Sequence, residues 1–267
     1  MEFLKITGTT EENAENLPKN YIKDTLEPLR GVMRARYKDG LWMSAEGAVY
    51  DVFNQKAHVI DNFSIPWWWR RIISMDFGFQ HPLVVHWWAY NPEKTQWIMY
   101  REIYQAHLLV EDAARLILRH SGKERTLRES KGEQISAVYC DWDKEDSATL
   151  ARYGVPSKEA KKGPNSVSAG IQMIYHLMAT DRIRFFRNAR VNSPCPFLKQ
   201  TNHPLSTIEE IPRYRYAKPD LPQKLYDDGC DAMRYAIYSD ELMRSSWGIT
   251  PGPLPELENA HPQIRQR

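Results

Sequence analysis

The 267-residue sequence predicts an α/β domain built on a mixed β-sheet with helices on its faces. Three observations carry this. Two short apolar runs, RIISMDF at 71–77 and ISAVYCD at 135–141, each finish on or beside an aspartate. Between them lie two runs rich in β-formers, separated only by a turn. Beyond them helical and strand-like segments alternate up to a long closing helix.

The elements follow in order. Residues 1–65 read as a lead-in or linker segment with no core of its own. Within it, TLEPLRGVMRARYKDGLW suggests short helical pieces, and Tyr50, Val52 and Phe53 suggest a strand. Trp67, Trp68 and Trp69 suggest a packing surface between segments. The main domain spans 66–247. It opens with RIISMDF, read as a buried strand, then a turn over Phe77–Pro82 that contains Gly78. PLVVHWWAY, the turn NPEKT and QWIMYREIY complete a three-strand antiparallel meander. EDAARLILRH has helical periodicity and is stopped by Gly122. SGKERTLRESKGEQ reads as a solvated charged loop. ISAVYCD is the fourth strand, followed by a helix over Glu145–Tyr153, closed by Gly154. Lys158–Pro164 is a basic loop, Asn165 caps a helix running to about Met178, and RIRFFR is a further strand. Residues 190–222 hold six of the seventeen prolines and are irregular apart from a short helix at STIEEI. Lys224–Met243 is the last helix, and 248–267 a loose Pro-rich tail. A meander followed by helix-connected strands is the RNase H-like layout.

Composition narrows the function classes. Hydrophobic residues make up 42%, which excludes disorder as the default. The net charge of +2 leaves any nucleic-acid surface to local patches. Cys140, Cys195 and Cys230 cannot all pair and lack metal-ligand spacing, which suggests a reducing compartment. No apolar run approaches the roughly 18 residues of a membrane span, and the first residues show no signal-peptide core. A soluble, intracellular protein is expected.

Chemistry points to carboxylates. Asp76 ends the first strand of the meander and Asp141 the fourth strand, its sheet neighbour in this layout. Asp231 lies inside the final helix, with Asp228 one turn earlier. Carboxylates that converge repel one another unless a divalent cation lies among them. Oxygen ligands without Cys or His favour Mg²⁺ or Mn²⁺. Two such ions about 3.5–4 Å apart activate a water and stabilise the leaving oxygen of a phosphodiester. Asp76, Asp141 and Asp231 are therefore candidate catalytic residues, and the same three with Asp228 candidate metal ligands. Each also has a structural reading. A strand-end acid serves as a turn or cap residue. Asp141 belongs with Asp143, Glu145 and Asp146 to an acidic turn. Asp227 and Asp228 favour a helix N-terminus, and Asp231 pairs with Arg234 at i+3. Asp227 and Asp228 are not separable at this stage. Lys158, Lys161, Lys162 and Arg184 are candidate DNA contacts, with a solvated loop and strand face as the alternative. His81, His86 and His203 lack ligand spacing, WWAY reads as core, and Gly122-Lys123 is no phosphate-binding loop.

These segments together resemble the nuclease end of tailed-phage terminase large subunits. RIISMDFGFQHP is similar to the family's first nuclease motif and AVYCDWD to its second. KKGPNSVSAGIQMI resembles the Lys-rich segment and Gly-Ile helix. STIEEIPRYRY resembles the Glu-containing stretch, and DDGCDAMRYAIYS the third motif. LPKNYIKDTLEPLRGVMRARYKDGLWMSAEGAVYDVF is similar to the connection between the family's ATPase and nuclease. The resemblance spans about residues 17–243. It implies an endonuclease that cuts concatemeric viral DNA during packaging in the host cytoplasm. Portal protein and a small terminase subunit would be its partners. The family's packaging ATPase is absent, so no nucleotide cofactor is expected, and the chain reads as a fragment of a longer protein. Where many relatives carry His, three residues before the final motif aspartate, this chain has Asp228. Two other readings stay open: another RNase H-like nuclease of resolvase or transposase type, and a non-catalytic DNA- or portal-docking module.

Overall fold

The computed structural model describes residues 10–17, 19, 22–23, 47–163, 165–218 and 221–246. The helical pieces expected over 25–42 and the tail from 248 lie outside these residues.

Strands β2 (Arg70–Asp76), β3 (Leu83–Asn91) and β4 (Gln96–Gln105) form the expected meander, with Ile73 opposite Trp87 and Trp87 opposite Arg101. β5 (Ile135–Cys140) lies parallel beside β2, pairing Cys140 with Met75. Three short strands extend the sheet. These are β1 (Val59–Ile60), β6 (Lys158–Glu159) and β7 (Ile183–Phe186), in the order β1-β7-β4-β3-β2-β5-β6. Only β3 runs against the others. The result is an RNase H-like mixed sheet flanked by helices. A separate hairpin joins β8 (Tyr216–Lys218) to β9 (Leu221–Pro222).

β3 is buried along its whole length, which explains its unbroken apolar run. Its adjacent tryptophans point to opposite faces. Trp87 Nε1 donates to Ser121 Oγ at 3.0 Å and Trp88 Nε1 to Ser74 Oγ at 3.1 Å. Both indole N–H groups are satisfied, so WWAY is core. The pleat sorts β2 likewise: Ile72, Ser74 and Asp76 face one side, Arg71, Ile73 and Met75 the other.

Helix α1 (Gln55–His58) precedes β1. α2 (Val110–His120) buries Ala113, Ala114, Ile117 and Leu118. It ends against Trp87, whose ring meets that of His120 edge-on. α3 (Lys144–Arg152) packs beside α2. α4 (Ser166–Ala179) packs on α7 (Asp228–Ser246), which crosses β2, β3 and β5 on the Asp76 side. α5 (Pro196–Gln200) and α6 (Thr207–Glu210) are single turns in the Pro-rich region.

Several expectations change. The described end of the lead-in belongs to the core: Val49, Tyr50 and Val59 are buried, and Ala48 bridges to Arg215. Tyr50 and Val52 lie in turns; the strand forms at Val59 instead, where it covers the edge of β7. Of the three tryptophans only Trp69 packs, while Trp67 and Trp68 stay exposed. The 121–134 loop is built rather than merely solvated. Leu127 and Lys123 are buried, and the Glu129 carboxylate accepts the backbone N–H groups of Glu124, Arg125 and Thr126. Asn165 precedes its helix at φ 62° without a side-chain cap. The final helix starts at Asp228, not Lys224, because Tyr226 takes a left-handed φ of 56°. No helix among the described residues is long and apolar enough to cross a membrane.

Candidate active site

Two parallel neighbouring strands finish at the same sheet edge. Asp76 is the last residue of β2 and Asp141 the first after β5. The α7 helix begins at that edge, on the face to which Asp76 points, and its first turn carries Asp228 and Asp231. Asp227 precedes it, its carbonyl accepting the Asp231 N–H at 2.7 Å. Two strand ends and one helix start thus bring together five aspartates that lie up to 155 positions apart in sequence (Asp76 to Asp231).

Their electrostatics are unequal. Burial pushes the Asp76 carboxyl well above the usual range, and Asp231, Asp228, Asp141 and Asp227 push it further. Asp76 has no hydrogen-bond or ion-pair partner among the described residues. Asp228 is raised to about 6 by burial and by Asp227, with His81 opposing. Asp227 is also raised, by burial, although Lys224 works against it. Asp141 is lowered: burial disfavours its charge, but the Lys162 ammonium and the Trp142 backbone N–H outweigh that.

Cations stand against three of the acids. Lys162 pairs with Asp141. Lys224 Nζ lies 3.0 Å from Asp227 and 3.2 Å from Asp231. Arg234 Nη2 lies 2.8 Å from Asp231 Oδ1, both side chains buried. The i+3 pair offered as a structural role for Asp231 is therefore present. It does not remove Asp231 from the cluster, since Asp231 is the strongest charge acting on Asp76. Tyr235 is placed among the same acids: its hydroxyl is 3.5 Å from Asp231, and burial, then Asp76, Asp231 and Asp141, hold its proton on. With the side chains as placed, no three His, Cys, Asp or Glu groups among the described residues already enclose one cation position. Lys162 and Lys224 hold oxygens that a metal ion would use.

The remaining sequence candidates divide. Lys158, in β6, and Lys161 are exposed beside β5, and the Lys161 N–H donates to Ser239 Oγ of α7 at 2.9 Å, tying this loop to the helix. Lys162 also lies over the rings of Trp142 and Tyr235. Arg184 is not brought to the cluster. Its register runs through Ile98 and Ala89 to Arg71, five residues before Asp76 on β2 and so roughly 17 Å back along the strand. It pairs there with Asp181 at 2.8 Å. Alternation assigned Arg184 to a face but could not say at which end of the sheet it stands.

A second buried network fixes the start of α7. Glu210, fully buried, accepts the Gly229 N–H at 3.0 Å, the Cys230 N–H at 2.7 Å and the Tyr104 hydroxyl at 2.6 Å. Glu102 accepts the Thr207 N–H at 2.8 Å, and His86 donates or accepts at Thr207 Oγ1, 2.8 Å away. Gly229 is required here, because a Cβ would fall 2.1 Å from Thr207 Oγ1. Gly170 of α4 makes equivalent room for Arg234: a Cβ would meet its Cγ at 2.7 Å. Sequence reasoning missed Glu210, Glu102, Lys224 and Tyr235 as contributors. Two stretches carried a signal: STIEEIPRYRY, which did not say which glutamate mattered, and DDGCDAMRYAIYS, which contains Tyr235.

No protein-family model matches the chain, and no curated protein sequence does. Solved structures match. A large terminase from a thermophilic bacteriophage superposes with a TM-score of 0.62 at 21% identity, covering 88% of this chain and 54% of that one. The P22 large terminase nuclease domain superposes with a TM-score of 0.56 at 20% identity, covering 74% of this chain and 93% of that one. The chain spans about half the length of the thermophilic-phage terminase. What it shares with both structures is the fold, the one carried by the P22 nuclease domain.

Proposed function

We propose that this chain is the nuclease part of a tailed-phage terminase large subunit, a divalent-metal-dependent endonuclease that cuts concatemeric viral DNA during packaging. The observation that carries the reading is Asp76. It is a half-buried carboxylate without a protein partner among the described residues, and the charges acting on it most strongly are four more carboxylates. Nothing in a folding role calls for that arrangement, whereas a hard divalent cation resolves it.

The donor set fits Mg²⁺ or Mn²⁺, because every convergent ligand is a carboxylate oxygen. Asp76, Asp141 and Asp231 would hold the metal, with Asp228 beside them. Bound there, the metal supplies an activated water and charge stabilisation for phosphodiester hydrolysis. The other side chains orient and neutralise. Arg234 holds one Asp231 oxygen, which aims that carboxylate. Lys162, Lys158 and Lys161 line the loop beside Asp141 and meet the phosphates of double-stranded DNA. With a metal bound by those acids, Lys162 and Lys224 would be released to face the substrate or solvent. Arg184 takes no part. Terminase membership further implies portal protein and a small terminase subunit as partners, in the host cytoplasm.

Calorimetric titration of the full chain with Mn²⁺ and Mg²⁺ tests this reading. Binding that is lost in Asp76→Asn, with the fold intact by circular dichroism, is the expected result. Unchanged binding in that variant, or no binding with or without DNA, would leave a docking module. Efficient cleavage of four-way junctions with linear and supercoiled DNA left intact would indicate the resolvase type instead.

A further inference from the structure

Away from the acids, on the opposite face of the sheet and towards its opposite end, lies a cavity of about 560 Å³. That volume falls within the roughly 300–1,000 Å³ of small-molecule sites. Trp67, Arg71, Arg101, Arg119, His120 and Glu133 line it, with the Ser121–Gly122 and Ser130–Gln134 backbone as a wall. Arg71 sits five residues before Asp76 on β2, and odd spacing along a strand turns the two side chains to opposite faces.

The cavity is cationic. Three guanidiniums face one carboxylate. Arg71 is only 6% exposed, yet it forms no ion pair among the described residues. Its two terminal nitrogens donate to the carbonyls of Ile65, Pro66, Trp67 and Trp69, and its Nε is buried without a partner. Arg101 Nη1 is ion-paired with Glu133 Oε2 at 2.8 Å. Arg119 is exposed at the end of α2. Burial lowers the His120 pKa, and Arg101 and Arg119 lower it further. Arg71 Nε is thus a buried donor without an acceptor, on a side chain that lines the cavity, and such donors are rare in folded proteins.

The wall is fixed and the mouth is aromatic. Gly122 at φ 66° and Gly132 at φ 80° pack so closely that a Cβ on Gly132 would lie 2.4 Å from the Gly122 carbonyl oxygen. The Glu133 N–H closes this loop onto Ser121 at 2.9 Å. Trp67 is 82% exposed, and its backbone is clamped by the same Arg71 guanidinium that lines the cavity.

We propose that this cavity binds the phosphate of a nucleotide, with the base stacked on Trp67. Guanidiniums match phosphate oxygens in geometry and charge. An exposed, backbone-anchored indole is a stacking platform for any base. The ligand is a free nucleotide or the phosphorylated end of a DNA strand, two sources of the same chemistry. The site is separate from the aspartate cluster.

The test is calorimetry on the full chain in EDTA, with four probes: inorganic phosphate, ADP, and trithymidylate with either a 5′-phosphate or a 5′-hydroxyl. Saturable binding of ADP or of the phosphorylated trinucleotide is expected, with the 5′-hydroxyl form weaker. Arg119→Ala weakens either ligand about tenfold. Trp67→Ala weakens the nucleotide but not inorganic phosphate. Both residues are exposed, so the variants melt with the wild type. Tighter binding of ADP assigns the free nucleotide, and tighter binding of the phosphorylated trinucleotide assigns the strand end. No saturable binding of any probe, or equal binding by wild type and both variants, overturns the proposal. The chelator keeps metal out, so the outcome does not depend on the nuclease reading.

Discussion

Two sets of carboxylates share one face of the sheet, and the fold treats them in opposite ways. Glu210, Glu102 and Asp240 are each met by donors. Glu210 takes two backbone N–H groups and a tyrosine hydroxyl, and Asp240 takes Nε and Nη2 of Arg70 and the Tyr139 hydroxyl. Asp76 takes none, and its surroundings are other acids. Burial of a charge is tolerated where the protein supplies its partners. The first set therefore builds the structure, and on the proposed reading a metal ion would complete the second. Asp231 stands between the two, because Arg234 and Lys224 partner it while it still repels Asp76.

That intermediate position gives the largest contrast in stability. Asp231→Asn leaves the Arg234 guanidinium buried against a neutral group and should destabilise the chain by about 3 kcal/mol. Asp76→Asn strands no partner and should raise the melting temperature in EDTA by about 2–4 °C at pH values above the raised Asp76 pKa, where its charge is opposed. Thermal melts of the two variants in chelator check this; a shift of the same sign in both would erase the distinction between partnered and unpartnered acids.

Glu210→Ala deprives three donors of their acceptor at the start of α7, a loss of about 3 kcal/mol by chemical denaturation. Glu210 also sets a pH dependence. Its folded pKa is raised to about 8 and that of Asp228 to about 6, above their usual values near 4. The folded state therefore binds more protons across this window, so stability is highest below it and is lost as pH rises from about 4 to 8. Denaturation in EDTA at successive pH values should show that fall, and Glu210→Gln should flatten its upper half. Stability that climbs with pH in the wild type would contradict the assignment of these groups.

Gly170→Ala tests the support behind Asp231 from the far side. The new methyl would press on the Arg234 side chain and cost about 2 kcal/mol, measured by urea denaturation. The smallest effect is at Lys224. Lys224→Ala frees oxygens of Asp227 and Asp231 and should tighten Mn²⁺ binding roughly threefold by calorimetry. Weaker binding would mean that Lys224 assists the site instead of competing for it.

Much of this was legible in the sequence because it rests on local pattern. The meander shows as three β-rich runs joined by short turns. Asp76 and Asp141 show as acids closing apolar runs, and Asp231 as an acid inside an apolar-faced helix. The rest depends on tertiary distance. β1 and β6 are two residues long and carry no period. Glu210 caps a helix that begins 18 positions later, at Asp228, so no i+3 pattern announces it. Lys224 stands before the helix, where Tyr226 turns the chain, and its reach to Asp231 follows from that turn. Arg184 shows the converse error: its face was readable, its position along the sheet was not.

The most direct test of the central claim is cleavage of supercoiled plasmid by the purified chain in Mn²⁺, Mg²⁺ or EDTA, beside Asp76→Asn. Asp76→Asn is the better variant because, unlike Asp231→Asn, it strands no buried cation. Metal-dependent cleavage that falls at least about a hundredfold in Asp76→Asn is the result expected. Cleavage that persists in EDTA, or survives intact in the variant, would contradict it.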